Sequence, residues 1–175
     1  MLIPFIILGN AVIAYGYVRG CYYTNWAQYR QGEGKFLPED IPEGLCTHIL
    51  YSFAKVDESN QPIPFEWNDE DTNWSKGMYS RVTKLKESDP ELKILLSYGD
   101  YNSGSTFTAI AKSADKRKNF IESAIAFLRK NKFDGFSLDW ENPIGVALEH
   151  GELVKVSIIA FICKIQNCRN IWATF

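Results

Sequence analysis

Phe133-Asp134-Gly135-Phe136-Ser137-Leu138-Asp139-Trp140-Glu141-Asn142-Pro143 is the stretch that decides the fold. Read as a β-strand, it alternates side chains between two faces. Ser137, Asp139 and Glu141 point one way, and Phe136, Leu138 and Trp140 point the other. One face is apolar, while the other gathers two carboxylates and a hydroxyl. Packing ionised carboxylates side by side costs free energy and raises a pKa. That cost has a use where a raised pKa serves a general acid. Taken alone, two carboxylates at this spacing also fit a loop with scattered acids, so the flanking sequence has to discriminate.

Working outward, three more apolar runs precede this one. Tyr17–Tyr23 reads as a first strand, and residues 24–34 as a polar and aromatic loop. Cys46–Ala54 is almost continuously apolar, as a strand of a buried parallel sheet is. The interval between them fits a crossover rather than a hairpin. His48, alone of its kind there, reads as a core or strand-start residue rather than a ligand. Leu92–Gly99 is the third strand. Between the second and third strands, residues 71–88 read as a helix. Asp71 or Thr72 caps it, Met78, Val82 and Leu85 form its buried stripe, and Asp89-Pro90 stops it. Phe107–Ala111 and Ser113–Lys130 read as helices. Phe120, Ile121, Ala124, Ile125 and Leu128 line one face of the second. Residues 148–168 are helix-like. Strands alternating with helices imply parallel βα units.

The composition points to a globular protein. The chain has 175 residues, 46% hydrophobic and 14% aromatic, which suits one domain with a sizeable core. A net charge of −2 without a basic stripe gives no support for a nucleic-acid partner. Residues 1–16 open with an apolar, uncharged run of signal-peptide length, too short for a membrane span. Ala14 and Gly16 offer a cleavage point, and a buried first strand is the alternative. The reading is a signal peptide over 1–16 and a secreted, extracellular domain over 17–175, with no membrane association after its removal. Cysteines stand at 21, 46, 163 and 168. A secreted context favours disulfides. If Cys21 and Cys46 start neighbouring strands, a bridge between them is geometrically reasonable. Cys163 and Cys168 point in different directions on a helix. Metal binding is the weaker alternative, since no histidine lies near either pair.

These motifs together resemble glycoside hydrolase family 18, the chitinases and chitinase-like lectins. The family signature is Asp-x-x-Asp-x-Asp-x-Glu at the end of the fourth strand of a TIM barrel. Here it reads Asp134-x-x-Ser137-x-Asp139-x-Glu141, with serine in place of one aspartate. Residues 21–30, 32–41 and 45–49 match the opening of the animal chitinases nearly residue for residue. The family motif Ser-x-Gly-Gly, then Trp-Asn, corresponds to Ser97-Tyr98-Gly99-Asp100-Tyr101-Asn102. Gly99 and Asn102 match, while Asp100 replaces the second glycine and Tyr101 the cleft tryptophan. The similarity covers roughly residues 17 to 143 and fades after Pro143.

The resemblance implies an α/β fold comprising about the first four βα units of a (β/α)8 barrel, whose full length is about 250 residues. Such a half barrel, whether a fragment, a truncated gene product or a degenerate copy, leaves two sheet edges open to self-association. It implies chitin or chitooligosaccharides as ligand, no metal or organic cofactor, and a Cys21–Cys46 disulfide. Glu141 is then the general acid and Asp139 the residue that orients the substrate acetamide, supported by Ser137 and Asp134. Tyr22, Trp26, Phe53, Glu66, Trp67, Gly99, Asp100, Tyr101, Asn102 and Asn142 contribute to substrate binding. In the family, aspartate at 137 shares a proton with 139, and a tyrosine follows the acid where Asn142 stands. Three functions are therefore expected in competition: hydrolysis of β-1,4-linked N-acetylglucosamine polymers, noncatalytic chitin binding, and an inactive fragment. Asp139 and Glu141 favour the first, whereas Ser137, Asp100 and Asn142 favour the second.

Overall fold

The alternation of apolar runs with amphipathic segments builds a sheet with helices against one face. The computed structural model describes residues 17–99 and 102–140. In chain order the elements are β1 (Gly20–Thr24), β2 (His48–Val56), β3 (Pro62–Pro64), α1 (Met78–Lys84), β4 (Lys93–Tyr98), α2 (Gly104–Ala111), α3 (Ala114–Lys130) and β5 (Gly135–Leu138). Strands β1, β2, β4 and β5 are parallel and adjacent in that order, while β3 pairs antiparallel with β2. This is the strand-helix succession of a partial (β/α)8 barrel. The N-terminal 16 residues, Cys163, Cys168 and the segment 148–168 lie outside the described residues.

Register explains how the strands divide polar from apolar. Tyr22, Leu50, Leu95 and Gly135 lie in one row across the sheet, and Thr24, Ser52, Ser97 and Ser137 in another. Residues in register on parallel strands face the same way, so both rows line one face. The opposite face carries Tyr23, Ile49, Tyr51, Ile94, Leu96 and Tyr98, all buried. Aromatic rings join it to the helices: Tyr51 meets Tyr79 of α1 at 5.1 Å, and Tyr98 meets Phe120 of α3 at 5.8 Å. Fully burying one such side chain contributes roughly 1.5–3 kcal/mol, which makes this face the main source of cohesion. The five residues expected on the inner face of α3 are all buried.

Several boundaries differ from the expectation. The first strand begins at Gly20 rather than Tyr17. The helix expected from residue 71 begins only at Met78, capped by Gly77. Short polar side chains capture the backbone ahead of it. The Asp71 carboxylate accepts from Gly77 N at 2.8 Å, and Thr72 Oγ1 from Ser75 N at 3.1 Å. Such local bonds compete with helix formation. Strand β3 was not expected, because two prolines bracket Ile63. It lies at an edge, where a missing N–H is tolerated. A turn closed by Asp57, whose carboxylate accepts from Gln61 N at 2.8 Å, folds it back onto β2.

The disulfide between Cys21 and Cys46 is present, with a Cα–Cα distance of 5.9 Å. It ties β1 to the residues leading into β2. The last described strand ends at Leu138, and one further backbone bond, from Asp139 N to Tyr98 O at 2.8 Å, carries the pairing on. That bond brings the Asp139 carbonyl against Gly99. A Cβ at 99 would lie 2.1 Å from that oxygen and 2.9 Å from the Phe107 ring, and φ there is +114°. Only glycine satisfies both conditions. Gly99→Ala is therefore expected to cost at least about 2–3 kcal/mol, measured by denaturant unfolding. Gly34→Ala, whose Cβ would meet only Arg30 side-chain atoms at 3.6 Å or more, serves as the near-neutral control.

Candidate functional site

Sites in open and closed parallel sheets lie beyond the C-terminal ends of the strands. At that end of β1, a 3-10 turn over Asn25–Tyr29 turns the chain across the sheet. Asn25 is buried and its Nδ2 donates to Phe53 O at 3.3 Å. This fastens β1 to β2. Above it, the Trp26 ring stacks on Phe53, with centroids 5.9 Å apart and planes at 25°. Trp26 is 40% exposed, so one indole face remains available. Tyr22, in the row below, is also exposed.

The turn after β3 presents Glu66 and Trp67. Asp69 holds it from beneath. Its Oδ2 accepts from Phe65 N at 3.1 Å and Glu66 N at 2.8 Å, and its Oδ1 accepts from the Tyr51 hydroxyl. Asp69 is fully buried. Burial pushes its carboxyl above the usual carboxylate range, against the Tyr51 hydrogen bond and the two backbone amides that favour the charged form. Burial likewise drives the Tyr51 phenol up, with the Asp69 charge adding to it. Asn68 and Gln28 exchange hydrogen bonds, the shorter 2.7 Å from Asn68 Nδ2 to Gln28 Oε1. The Tyr29 hydroxyl donates to Glu66 Oε2 at 2.9 Å. A rigid base thus carries an indole, Trp67, that is 82% exposed.

At the ends of β4 and β5, Ser97 and Ser137 face each other in register. Ser97 is fully buried, and its hydroxyl has no hydrogen-bond partner among the described residues. Asp139 follows directly on β5, half-buried, on the side of Ser137 by the strand alternation. Trp140 is buried on the opposite side, its ring 6.3 Å from Phe107. Asn102 is exposed in the turn before α2. Asp100, Tyr101, Glu141 and Asn142 lie outside the described residues. Asp134 stands at the other end of β5. Its Oδ2 accepts from Ile94 N at 2.7 Å, and Lys86 Nζ approaches Oδ1 at 3.0 Å. Its contacts set the entry of β5 beside β4 rather than line the C-terminal end.

From β1 to β5 the sheet crosses three strand spacings, about 14 Å. Aromatic surface therefore lies at one side of the C-terminal end and the Ser137–Asp139 group at the other. Asp69, Tyr29 and Gln28 join this end of the sheet beyond the residues that the sequence motifs single out. Tyr29, an exposed aromatic three residues beyond Trp26, was the visible signal among them. A cleft of about 400 Å³ lies elsewhere, among Glu39, Pro42, Cys46, Leu85 and Leu92 at the N-terminal ends of the strands. Among the described residues, no group of three or more His, Cys, Asp or Glu is arranged to hold a metal ion. No helix among them is long and apolar enough to cross a membrane.

Comparison with known proteins agrees with this geometry. Residues 18–167 match the family model described as glycosyl hydrolases family 18. An endochitinase of Brugia malayi is 69% identical over 164 residues, covering 93% of this chain and 32% of the relative. The crystal structure of an immunomodulatory active chitinase from Trichuris suis superposes with a TM-score of 0.78 at 44% identity, over 87% of this chain and 41% of that one. Human YKL-39, described as a pseudo-chitinase with retained chitooligosaccharide binding, superposes with a TM-score of 0.75 at 35% identity, over 89% and 41%. The chain thus spans about a third of the length of the curated relative and two fifths of the structural ones. With its partial (β/α)8 sheet, its disulfide and its strand-end motifs, the chain belongs to glycosyl hydrolases family 18.

Proposed function

We propose that this chain contributes the substrate-binding and acid-bearing part of a secreted chitinase site acting on β-1,4-linked N-acetylglucosamine polymers. The observation that supports it most is Asp139 at the C-terminal end of β5, flanking Ser137 and two residues before Glu141, on the end of the sheet that also bears Trp26, Phe53 and Trp67. Exposed indoles and phenols suit the apolar faces of sugar rings. Tyr22, Gly99, Asp100, Tyr101, Asn102, Asn142 and Glu66 complete the proposed contacts. Residues 1–16 act as the export signal, consistent with a disulfide that belongs to an oxidising compartment.

Hydrolysis in this family is substrate-assisted. The carbonyl oxygen of the 2-acetamido group forms a bond to the anomeric carbon as the glycosidic C–O bond breaks. Glu141 donates its proton to the leaving oxygen. Asp139 orients the acetamide and offsets the positive charge of the cyclic intermediate. Water then attacks the anomeric carbon, returns a proton to Glu141 and reopens the ring. Ser137 offers a hydroxyl to Asp139 but no charge. That serine supports a second reading, chitooligosaccharide binding without turnover.

A chimera of residues 17–143 with the remaining strands of an active relative tests the first reading. Cleavage of a chromogenic chitobioside is expected to fall about 10²–10⁴-fold on Glu141→Gln. Ser137→Asp is expected to raise kcat. Equal cleavage with Gln or Glu at 141 removes Glu141 as the acid. A folded chimera that binds chitin yet cleaves with neither Ser nor Asp at 137 replaces hydrolysis with binding.

Asp69 supports Trp67 through the turn backbone, so Asp69→Asn is expected to weaken chitooligosaccharide binding by calorimetry. Its effect should largely vanish once Trp67→Ala is present. Additive losses in that double-mutant cycle would show the two residues acting separately.

A further inference from the structure

We infer that Asn73 is an N-glycosylation site, standing at the C-terminal end of the sheet beside the turn that bears Trp67. Asn73-Trp74-Ser75 is the only Asn-x-Ser/Thr triplet in the 175-residue sequence, and its middle residue is not proline. Such a triplet is an acceptor only where it stands on an accessible surface loop of an exported chain. The inference rests on the secreted reading proposed above.

The structure supplies the loop. Residues 71–77 fail to join α1 because their own side chains close a tight turn. Thr72 N donates to Ser75 O at 2.9 Å, and Thr72 Oγ1 accepts from Ser75 N at 3.1 Å and Trp74 N at 3.3 Å. The Lys76–Asp71 ion pair, at 2.6 Å, closes its base. None of these bonds uses the Asn73 side chain. It is exposed, and no hydrogen bond engages its carboxamide among the described residues. Its neighbour Trp74 is 92% exposed, so a sugar attached here displaces no packing. The turn's bonds run through Thr72, so a sugar on the Asn73 side chain breaks none of them.

The location matters as well. Met78 N donates to Asn68 O and Tyr79 N to Asp69 O, each at 2.9 Å. These bonds bring the base of the loop back against the turn that bears Trp67. The glycan therefore projects from the C-terminal end of the sheet, beside the proposed sugar-binding surface rather than at the far pole.

In the transfer, Asn73 Nδ2 forms a bond to the anomeric carbon of an oligosaccharide carried on a lipid diphosphate. The bond from that carbon to the diphosphate oxygen breaks, and the lipid diphosphate leaves as an anion. Nδ2 loses one proton to a base of the membrane-bound transferase. No electrons change hands beyond these bonds.

The test expresses the full chain in a eukaryotic secretory cell in two forms, one with its own residues 1–16 and one with a heterologous leader replacing them. Each carries an appended control acceptor triplet at the C-terminus. Chain recovered from the secretory lumen and medium is treated with a deglycosylating amidase in heavy-oxygen water, which marks occupied asparagines as labelled aspartate. Labelled Asn73 peptide is expected in the lumenal chain. The label should vanish with Ser75→Ala and persist or rise with Ser75→Thr, which keeps the hydroxyl. Unmodified Asn73 in lumenal chain whose control triplet is occupied overturns the inference. Glycosylation with the heterologous leader but not with residues 1–16 leaves the site standing and overturns the secreted reading instead.

Discussion

The passage of the Asp139 carbonyl past Gly99 governs the end of the sheet on which the site depends. Two strands meet there, and their backbones approach more closely than any side chain at 99 would permit. Because that contact is open, Asp139 N reaches Tyr98 O and the β4–β5 ladder runs one residue beyond Leu138. The extra bond preserves the alternation of the strand past its formal end. Asp139 is thereby kept on the side of Ser137, and Trp140 is delivered into the helix layer against Phe107. A backbone requirement at one glycine thus decides where a carboxylate points.

The same alternation separates cohesion from chemistry. The helix-facing side of the sheet is almost wholly aromatic and aliphatic, and its burial holds the strands together. The other side is apolar in the row of Tyr22, Leu50 and Leu95 and hydroxylic in the row of Thr24, Ser52, Ser97 and Ser137. Polarity therefore increases toward the C-terminal ends, where barrel sites sit. Serine at 137 continues that hydroxyl row rather than interrupting it with a charge. The serine that departs from the family signature is thus consistent with its immediate surroundings.

Loops at that end are held by buried polar groups rather than by apolar contact. Asp69 is the clearest case. It satisfies two backbone amides and the Tyr51 hydroxyl from a fully buried position, where an unmatched carboxylate would be costly. The result is an exposed tryptophan on a fixed support. Asn25 serves a similar purpose for Trp26 and Phe53. Exposed aromatic surface on a rigid base loses little conformational freedom on binding, which favours affinity.

The sequence by itself determined the order and type of the main elements, because their signals are local. Continuous apolar runs marked β2 and β4, the spacing from Phe120 to Leu128 marked the inner face of α3, and residues 133–143 separated apolar from acidic positions. The quoted motifs also carried the family. Local signals were weakest where short side chains compete with the backbone. Asp71 and Thr72 looked like helix caps and instead closed a separate turn, and two prolines concealed β3. What only the tertiary structure decided are relations between distant residues: the hydroxyl row, the Tyr51–Asp69 bond beneath the Trp67 turn, the Tyr29–Glu66 bond, and the bond from Ile94 N to Asp134. Each depends on strand register or on a hydrogen bond across tens of residues, and neither leaves a periodic trace in the chain. Pairing geometry is set by contacts across the whole sheet, so no window of sequence contains it.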